Sequence, residues 1–532
     1  MNSLVRRPWL LWAGCLLLVL LASVFGRPDI PIDETRYVSV AWEMWSGGDW
    51  LVMHRNGVPY HHKPPLLFWL IGLGWGALGG PNDWWPRVIS ALFSFACLGL
   101  TVAIAHRLWP REERVGERAG WLLLGGVFWL FFSTSVVFDV MLAAFALLAL
   151  LAALRAWQGE RRGTWGLFGV AIGLGILAKG PVVLLDVLPP LLLAPWWGGR
   201  GRFGQAWYGG IGLGFLLGAG IALAWAVPAA ILGGEEFRNA IFWGQTAGRV
   251  SGSLAHKQPF WFYLAVLPLL LFPWFFWGRS WRAMAAALRD GHDSGVRLCL
   301  AWVVPALIVF SLAGGKQAHY ILPLLPAFAL LLARGWSRAA PGGRWSVLPL
   351  ALLLALIGAA FLLPQAWAGK LWLASFVEPS WLAAGILLLV MAAASLFLVG
   401  GEGGLHRLAV GAVALVVVAL LLILKPLSPI FDMAPLAQRL KTLEGQGVPV
   451  AHASAYNDQY QYYGRLSRPL EEIGRDDLGA WFQKHPGGRV VAYLKSSSRV
   501  SAVRPEFAQP YLDGAVVLLD AEAAQRMPGR GQ

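Results

Sequence analysis

About thirteen apolar runs dominate the chain, near 9–25, 85–107, 119–132, 136–155, 164–178, 181–196, 206–231, 260–277, 298–313, 319–335, 346–363, 380–399 and 406–424. Most approach the twenty or so residues that a helix needs to cross a hydrocarbon core. In lipid such a chain has to satisfy its backbone polar groups internally. The expected fold class is therefore a polytopic α-helical membrane protein. Composition agrees: 14% of the 532 residues are charged, against roughly a quarter in a soluble domain. The net charge of +14 is no signal for nucleic acid, because the basic residues recur in short clusters between the runs. Cys15, Cys97 and Cys299 each fall inside an apolar run, which argues against a disulfide framework or a thiolate metal site. Arg6-Arg7 before the first run resembles a signal peptide, but no small-residue cleavage site follows, and the run reads as an uncleaved first helix.

The basic clusters set the expected orientation. With the N-terminus cytoplasmic, every even-numbered run should end in a basic loop. Arg107 to Arg118, Arg155 to Arg162, Arg200 and Arg202, Arg279 to Arg289, Arg334 to Arg344, and Arg407 all obey. An odd number of spans then leaves the C-terminal tail outside. The organisation expected is a transmembrane domain over 1–431, with external loops at 26–84 and 232–259. From Asp432 charge rises and apolar runs shorten to strand length at Val448–Ala451, Arg489–Leu494 and Ala515–Leu519, with helical patterns at Ala434–Leu443 and Asp476–Lys484. Residues 432–532 read as a small external α/β domain.

Ionisable residues gather on the face where basic loops are scarce. Asp33-Glu34, Arg36, Tyr37 and Tyr60-His61-His62-Lys63-Pro64 lie in the first external loop. Asp33 is either the N-cap of an interfacial helix running to about Trp45 or a carboxylate that orients or deprotonates an acceptor. Lys63 either snorkels to the headgroup layer or, stiffened by two following prolines, presents a point charge to a phosphate. Asp139 opens the fourth run, where an acid has to find a partner or a substrate. Lys179 occupies the Lys179-Gly180-Pro181 turn, and snorkelling and function are balanced there. His256 and Lys257 close the second long loop. Gly314-Gly315-Lys316 before His319 and Tyr320 offers a short phosphate nest. His62 and His61 are more readily hydrogen-bonded interfacial residues than metal ligands.

Taken in order, Asp33-Glu-Thr-Arg-Tyr37, Gly48-Asp-Trp50, Tyr60 to Pro64, Asp139 with Met141, Lys179-Gly-Pro181, His256 with Pro259-Phe-Trp261, Gly315-Lys316 and Tyr320-Ile-Leu-Pro323 resemble one family. It is that of the GT-C glycosyltransferases using polyprenyl-phosphate sugars, in the bacterial branch of the lipid A aminoarabinose transferases, related to protein mannosyltransferases. The resemblance implies that Asp33 is the main catalytic carboxylate and Asp139 a second acidic residue. It places Lys63, Arg36, Tyr37, Tyr60 and Tyr320 near the lipid phosphate; Glu34, Lys179, Lys316 and His319 are expected beside them among the substrate-binding groups. A glutamate that precedes the branch's lysine is His62 here, so a zinc site would rest on His62 and His256. The turn before Tyr320 also departs, reading Lys-Gln-Ala-His where the branch has Lys-Leu-Pro-Thr.

The resemblance implies inverting transfer of a sugar, 4-amino-4-deoxy-L-arabinose first, from undecaprenyl phosphate to lipid A or a related glycolipid. The reaction would run at the periplasmic face of a bacterial inner membrane, a lipopolysaccharide modification of the kind associated with polymyxin resistance. The chemistry itself requires no cofactor, because activation is stored in the donor. Alternatives are another sugar, a hexose or uronic acid, or a protein acceptor. A lipid flippase or transporter would instead carry its charges near mid-membrane, and an envelope assembly protein would act through the external domain.

Overall fold

A computed structural model of the chain describes residues 8–160, 162–199, 203–244, 257–340, 342–363, 379–495, 499–512 and 514–527. Nine helices among the described residues are long and apolar enough to cross a membrane, and three shorter apolar helices accompany them. The N-terminal half runs α1 (Pro8–Gly26), α2 (Asp33–Gly47), a hairpin of β1 (His54–Arg55) and β2 (Val58–Pro59), α3 (Leu66–Ala77), α4 (Trp85–Leu108), α5 (Glu113–Leu124), α6 (Val127–Phe132), α7 (Asp139–Trp157) and α8 (Thr164–Lys179). Every apolar run read from the sequence is helical, but several are broken. Gly125-Gly126 splits the third into α5 and α6, and the run at 319–335 begins as a tight 3-10 turn over Ala318–Leu324. Pro323 and Pro326 explain the latter, since neither supplies a backbone N–H.

One apolar helix was not expected. α3 lies inside the segment read as a loop over 26–84, and at twelve residues it is too short to span. The most enclosed spans are α7 and Ala318–Trp336, and both begin with residues singled out above: Asp139 in one, His319 and Tyr320 in the other.

Close helix packing uses glycine. A Cβ on Gly169 of α8 would stand 2.8 Å from the Gly214 carbonyl oxygen of the helix Gln205–Leu232, and one on Gly173 would meet Ile221 at 2.7 Å. Small residues allow this backbone approach where lipid offers no hydrophobic drive between helices.

At one end of the bundle the basic loops meet one another. Arg107 bonds to Gln158 and Glu160, Arg334 to Glu112 and Asp293, Arg338 to Asp290, and Arg279 to the Gly401 carbonyl. The C-terminal residues form a five-stranded mixed sheet, β3 (Val450–Ala453), β4 (Glu471–Ile473), β5 (Arg489–Leu494), β6 (Phe507–Tyr511) and β7 (Gly514–Leu519), in the order β4-β3-β5-β7-β6. The strand expected at Val448–Ala451 lies two residues later, and β4 and β6 were not anticipated.

Candidate functional site

α2 sits over the N-terminal end of α7 and is fixed there by a buried ion pair. Glu34 accepts from both terminal nitrogens of Arg27, at 2.5 and 3.1 Å, and from the backbone N–H groups of Ile30 and Val136 at 2.8 and 2.7 Å. Arg27 also donates to Ser135 Oγ at 3.1 Å. Burial works to raise the Glu34 pKa, yet Arg27 and these hydrogen bonds overcome it and hold the carboxyl below its usual range. Glu34, expected among the substrate-binding groups, is thus enclosed and committed. It ties α2 to the turn that delivers Asp139. A second buried pair, Arg87 with Asp29 at 2.8 Å, supports the same corner, and Tyr463 donates to Asp29 at 2.6 Å.

Asp33 is not the helix cap. Ile32 holds that position with no side-chain cap, and the Asp33 carboxylate is paired with Arg36 and accepts from the Tyr37 hydroxyl at 3.4 Å. Its side chain is 36% exposed, open to a reactant from outside. Arg36 Nε and the Tyr60 hydroxyl are buried and have no hydrogen-bond partner among the described residues. Burial disfavours the Arg36 charge, but the nearby oxygens of Tyr60, Tyr37 and Asp33 outweigh it and raise its pKa. Burial pushes Tyr60 up to about 12 and Tyr37 well above its ordinary value, so both phenols keep their protons. Lys63 Nζ lies over the Phe138 ring, 5.6 Å from its centroid. Tyr37 packs edge-on against the same ring at 4.8 Å.

Behind Phe138 comes the third group. Asp139 is the first residue of α7, capped by nothing, and pairs with Lys179 from the end of α8. Both are buried, so Lys179 does not snorkel. His319 Nε2 stands 3.8 Å from the other Asp139 oxygen, and the Lys179 ammonium lies 4.6 Å from the Tyr320 ring centroid. Asp139, Lys179, Asp33 and Lys63 are all within electrostatic reach of His319, which makes one constellation of residues scattered from 33 to 320. Lys316, expected at the phosphate, instead donates to the Gln258 carbonyl at 2.8 Å, and Lys257 bridges to Gly315. It fastens the end of the second long loop to the turn before His319.

Residues 62–229 match a family model described as dolichyl-phosphate-mannose-protein mannosyltransferase. The undecaprenyl phosphate-alpha-4-amino-4-deoxy-L-arabinose arabinosyl transferase 1 of Sodalis glossinidius is 34% identical over 337 residues, 61% of this chain and 58% of that protein. The chain therefore spans little more than half the length of that relative. Two crystal structures of ArnT from Cupriavidus metallidurans match nearly end to end. The apo form has a TM-score of 0.75 at 20% identity, covering 99% of this chain and all of that one. The form bound to undecaprenyl phosphate has a TM-score of 0.72 at 21% identity, covering 98% of this chain and all of that one. By fold and by sequence, the chain is similar to the aminoarabinose transferases. It has the GT-C fold and is a multi-pass membrane protein.

Of the two expected zinc ligands, His62 sits among groups that do not favour a bound cation. His62 lies against His61 with tilted rings whose centroids are 4.4 Å apart, and the cationic Arg55, Arg36 and Lys63 are within electrostatic reach. Partial burial of the ring, followed by those charges, lowers its pKa to about 4. No three His, Cys, Asp or Glu residues converge among the described residues, and His256 lies outside them. Arg27, Asp29 and Arg87 were missed as organisers of the site. An arginine at the end of the first span, seven residues ahead of Glu34, was the available signal.

Proposed function

We propose that the chain transfers a sugar from an undecaprenyl-phosphate carrier to an envelope glycolipid at the periplasmic face of the inner membrane, with inversion. The best reading is aminoarabinose delivered to lipid A. One observation supports it most: the buried Arg36 Nε and Tyr60 hydroxyl, two donors of one site without partners among the described residues. A buried donor that bonds to nothing is costly and calls for a ligand. Two beside Lys63 suit a phosphate. The Cupriavidus metallidurans ArnT structure of the same fold, bound to undecaprenyl phosphate, supports the same ligand.

In this reading the carrier phosphate takes its hydrogen bonds from Arg36 and Tyr60 and charge from Lys63. As the glycosidic C–O bond breaks, negative charge grows on the leaving phosphate and positive charge on the sugar ring. Donors preset in a poorly solvated pocket stabilise the former without reorganising. Asp33, exposed and steadied by Arg36 and Tyr37, faces the acceptor. It takes a proton from a hydroxyl acceptor, or positions an acceptor that is already anionic. The Asp139–Lys179–His319 cluster, beside Tyr320, adds a second carboxylate to the same constellation.

Mass spectrometry of envelope glycolipids from cells carrying the intact chain, Asp33→Asn, or no copy tests the proposal. A sugar-bearing species present only with the intact chain supports it. Identical glycolipids and glycoproteins in all three contradict it.

A further inference from the structure

The proposed phosphate-binding segment, Tyr60 to Lys63, hangs from the hairpin of β1 and β2, and the tip of that hairpin is held by the C-terminal domain. The turn residues Asn56 and Gly57 both have left-handed backbones, with φ of 52° and 75°. An Asn-Gly pair is the preferred sequence for such a turn. The Asn56 side chain pairs reciprocally with Leu470: Nδ2 donates to the Leu470 carbonyl at 2.8 Å, and Leu470 N–H donates to Oδ1 at 2.7 Å. The Asn56 backbone N–H points between two carboxyl groups, Glu43 Oε1 of α2 at 2.7 Å and Asp458 Oδ2 of the domain at 3.0 Å. Gly57 N–H takes the other Glu43 oxygen at 3.0 Å, and a Cβ on Gly57 would press on Pro469 at 3.2 Å. The returning strand leads at once to Tyr60, whose N–H bonds to the Met53 carbonyl at 2.7 Å.

We propose that Asn56 is the positioning residue through which the C-terminal domain sets the Tyr60–Lys63 segment, and that the clamp closes only while the buried Asp458 carboxyl, converging with Glu43 on the Asn56 N–H, keeps its proton. The inference rests on the phosphate reading of that segment. Two carboxyl groups converging on one N–H cannot both be charged at low cost. Asp458 is fully buried, with Oδ1 unpartnered among the described residues. The groups facing it are Glu43 from α2, Arg55 and Asn56 from the hairpin, Tyr60 beyond it and Tyr456 on its own loop. Burial first, and Glu43 next, raise its pKa well above the carboxylate range, with Arg55 opposing. The folded state therefore holds a proton that the unfolded chain has released. The clamp weakens as pH rises toward the folded value, which is the reverse of an ordinary salt-bridged acid.

The test uses the full-length protein in nanodiscs and undecaprenyl phosphate as probe, with binding measured from about pH 5 to pH 9.5, the interval above the ordinary carboxylate range. Asn56→Gly accepts the left-handed backbone and removes the side-chain clamp; it is expected to weaken binding about tenfold through misplacement of the segment. Asp458→Asn keeps an acceptor for the Asn56 N–H and removes the titration. Wild type is expected to lose affinity as pH rises, and Asp458→Asn to lose less. Asn56→Gly at wild-type affinity overturns the clamp, and coincident pH profiles for wild type and Asp458→Asn overturn the role of the Asp458 proton. Lys63→Ala separates the two layers. If it too binds like wild type, the phosphate reading fails; if it alone is weakened, only the clamp fails.

Discussion

Lys179, the last residue of α8, is ion-paired inside the protein with Asp139, the first residue of α7. Each charge is tolerable there only because of the other. Asp139→Asn and Lys179→Met are each expected to lower sugar transfer at least about a hundredfold and to reduce the yield of folded protein. The double variant should recover yield and not activity. Size-exclusion profiles and transfer rates per folded molecule measure both.

Arg27 and Glu34 form the other enclosed pair, with side chains 1% and 5% exposed. Arg27→Leu alone strands a carboxylate and should cost about 3–5 kcal/mol, read as a fall in melting temperature. Because the folded Glu34 pKa lies below its ordinary value, its contribution is complete above the ordinary carboxylate range and is lost as pH falls through the folded value. Acidification should lower the melting temperature of wild type more than that of Glu34→Gln.

Asp33 is expected to behave differently. Its partner Arg36 is on the same helix, and its own side chain is open to solvent, so removing its charge should hardly touch stability. Asp33→Asn is expected to melt like wild type while losing at least about a hundredfold in transfer. A variant that both melts early and fails would assign Asp33 to structure instead.

The crossing of α8 with Gln205–Leu232 gives a prediction remote from chemistry. Gly169→Leu has to displace the Gly214 backbone and Leu217, and overpacking of this kind costs about 1–3 kcal/mol. Gly166→Leu on the same helix, where a Cβ would meet nothing within 4 Å, is the matched control. Thermal unfolding of the two in detergent distinguishes them.

The spans were legible because apolar length is a one-dimensional signal, and their breaks at Gly125-Gly126 and Pro323 follow from residues visible in the chain. α3 was hidden because Leu66–Ala77, at twelve residues, is too short to register as a span. The charged site residues were legible one at a time, as charges beside apolar runs. Their partners were not. Nothing in sequence spacing says that Glu34 is spent on Arg27, that Lys316 is spent on a carbonyl 58 residues away, or that Lys179 finds Asp139. The Asn56-Gly57 turn carried a readable hairpin signature, but its docking on Leu470 depends on a contact 414 residues distant.

In the proposed function Arg36 and Tyr60 are donors waiting for a carrier phosphate. The direct measurement is binding of undecaprenyl phosphate, with undecaprenol as the uncharged control, to wild type, Arg36→Leu and Tyr60→Phe in nanodiscs. The structure predicts that wild type binds the phosphate at least about tenfold more tightly than the alcohol, and that both substitutions erase most of that preference. Equal affinity of wild type for the two lipids, or a preference untouched by either substitution, would contradict it.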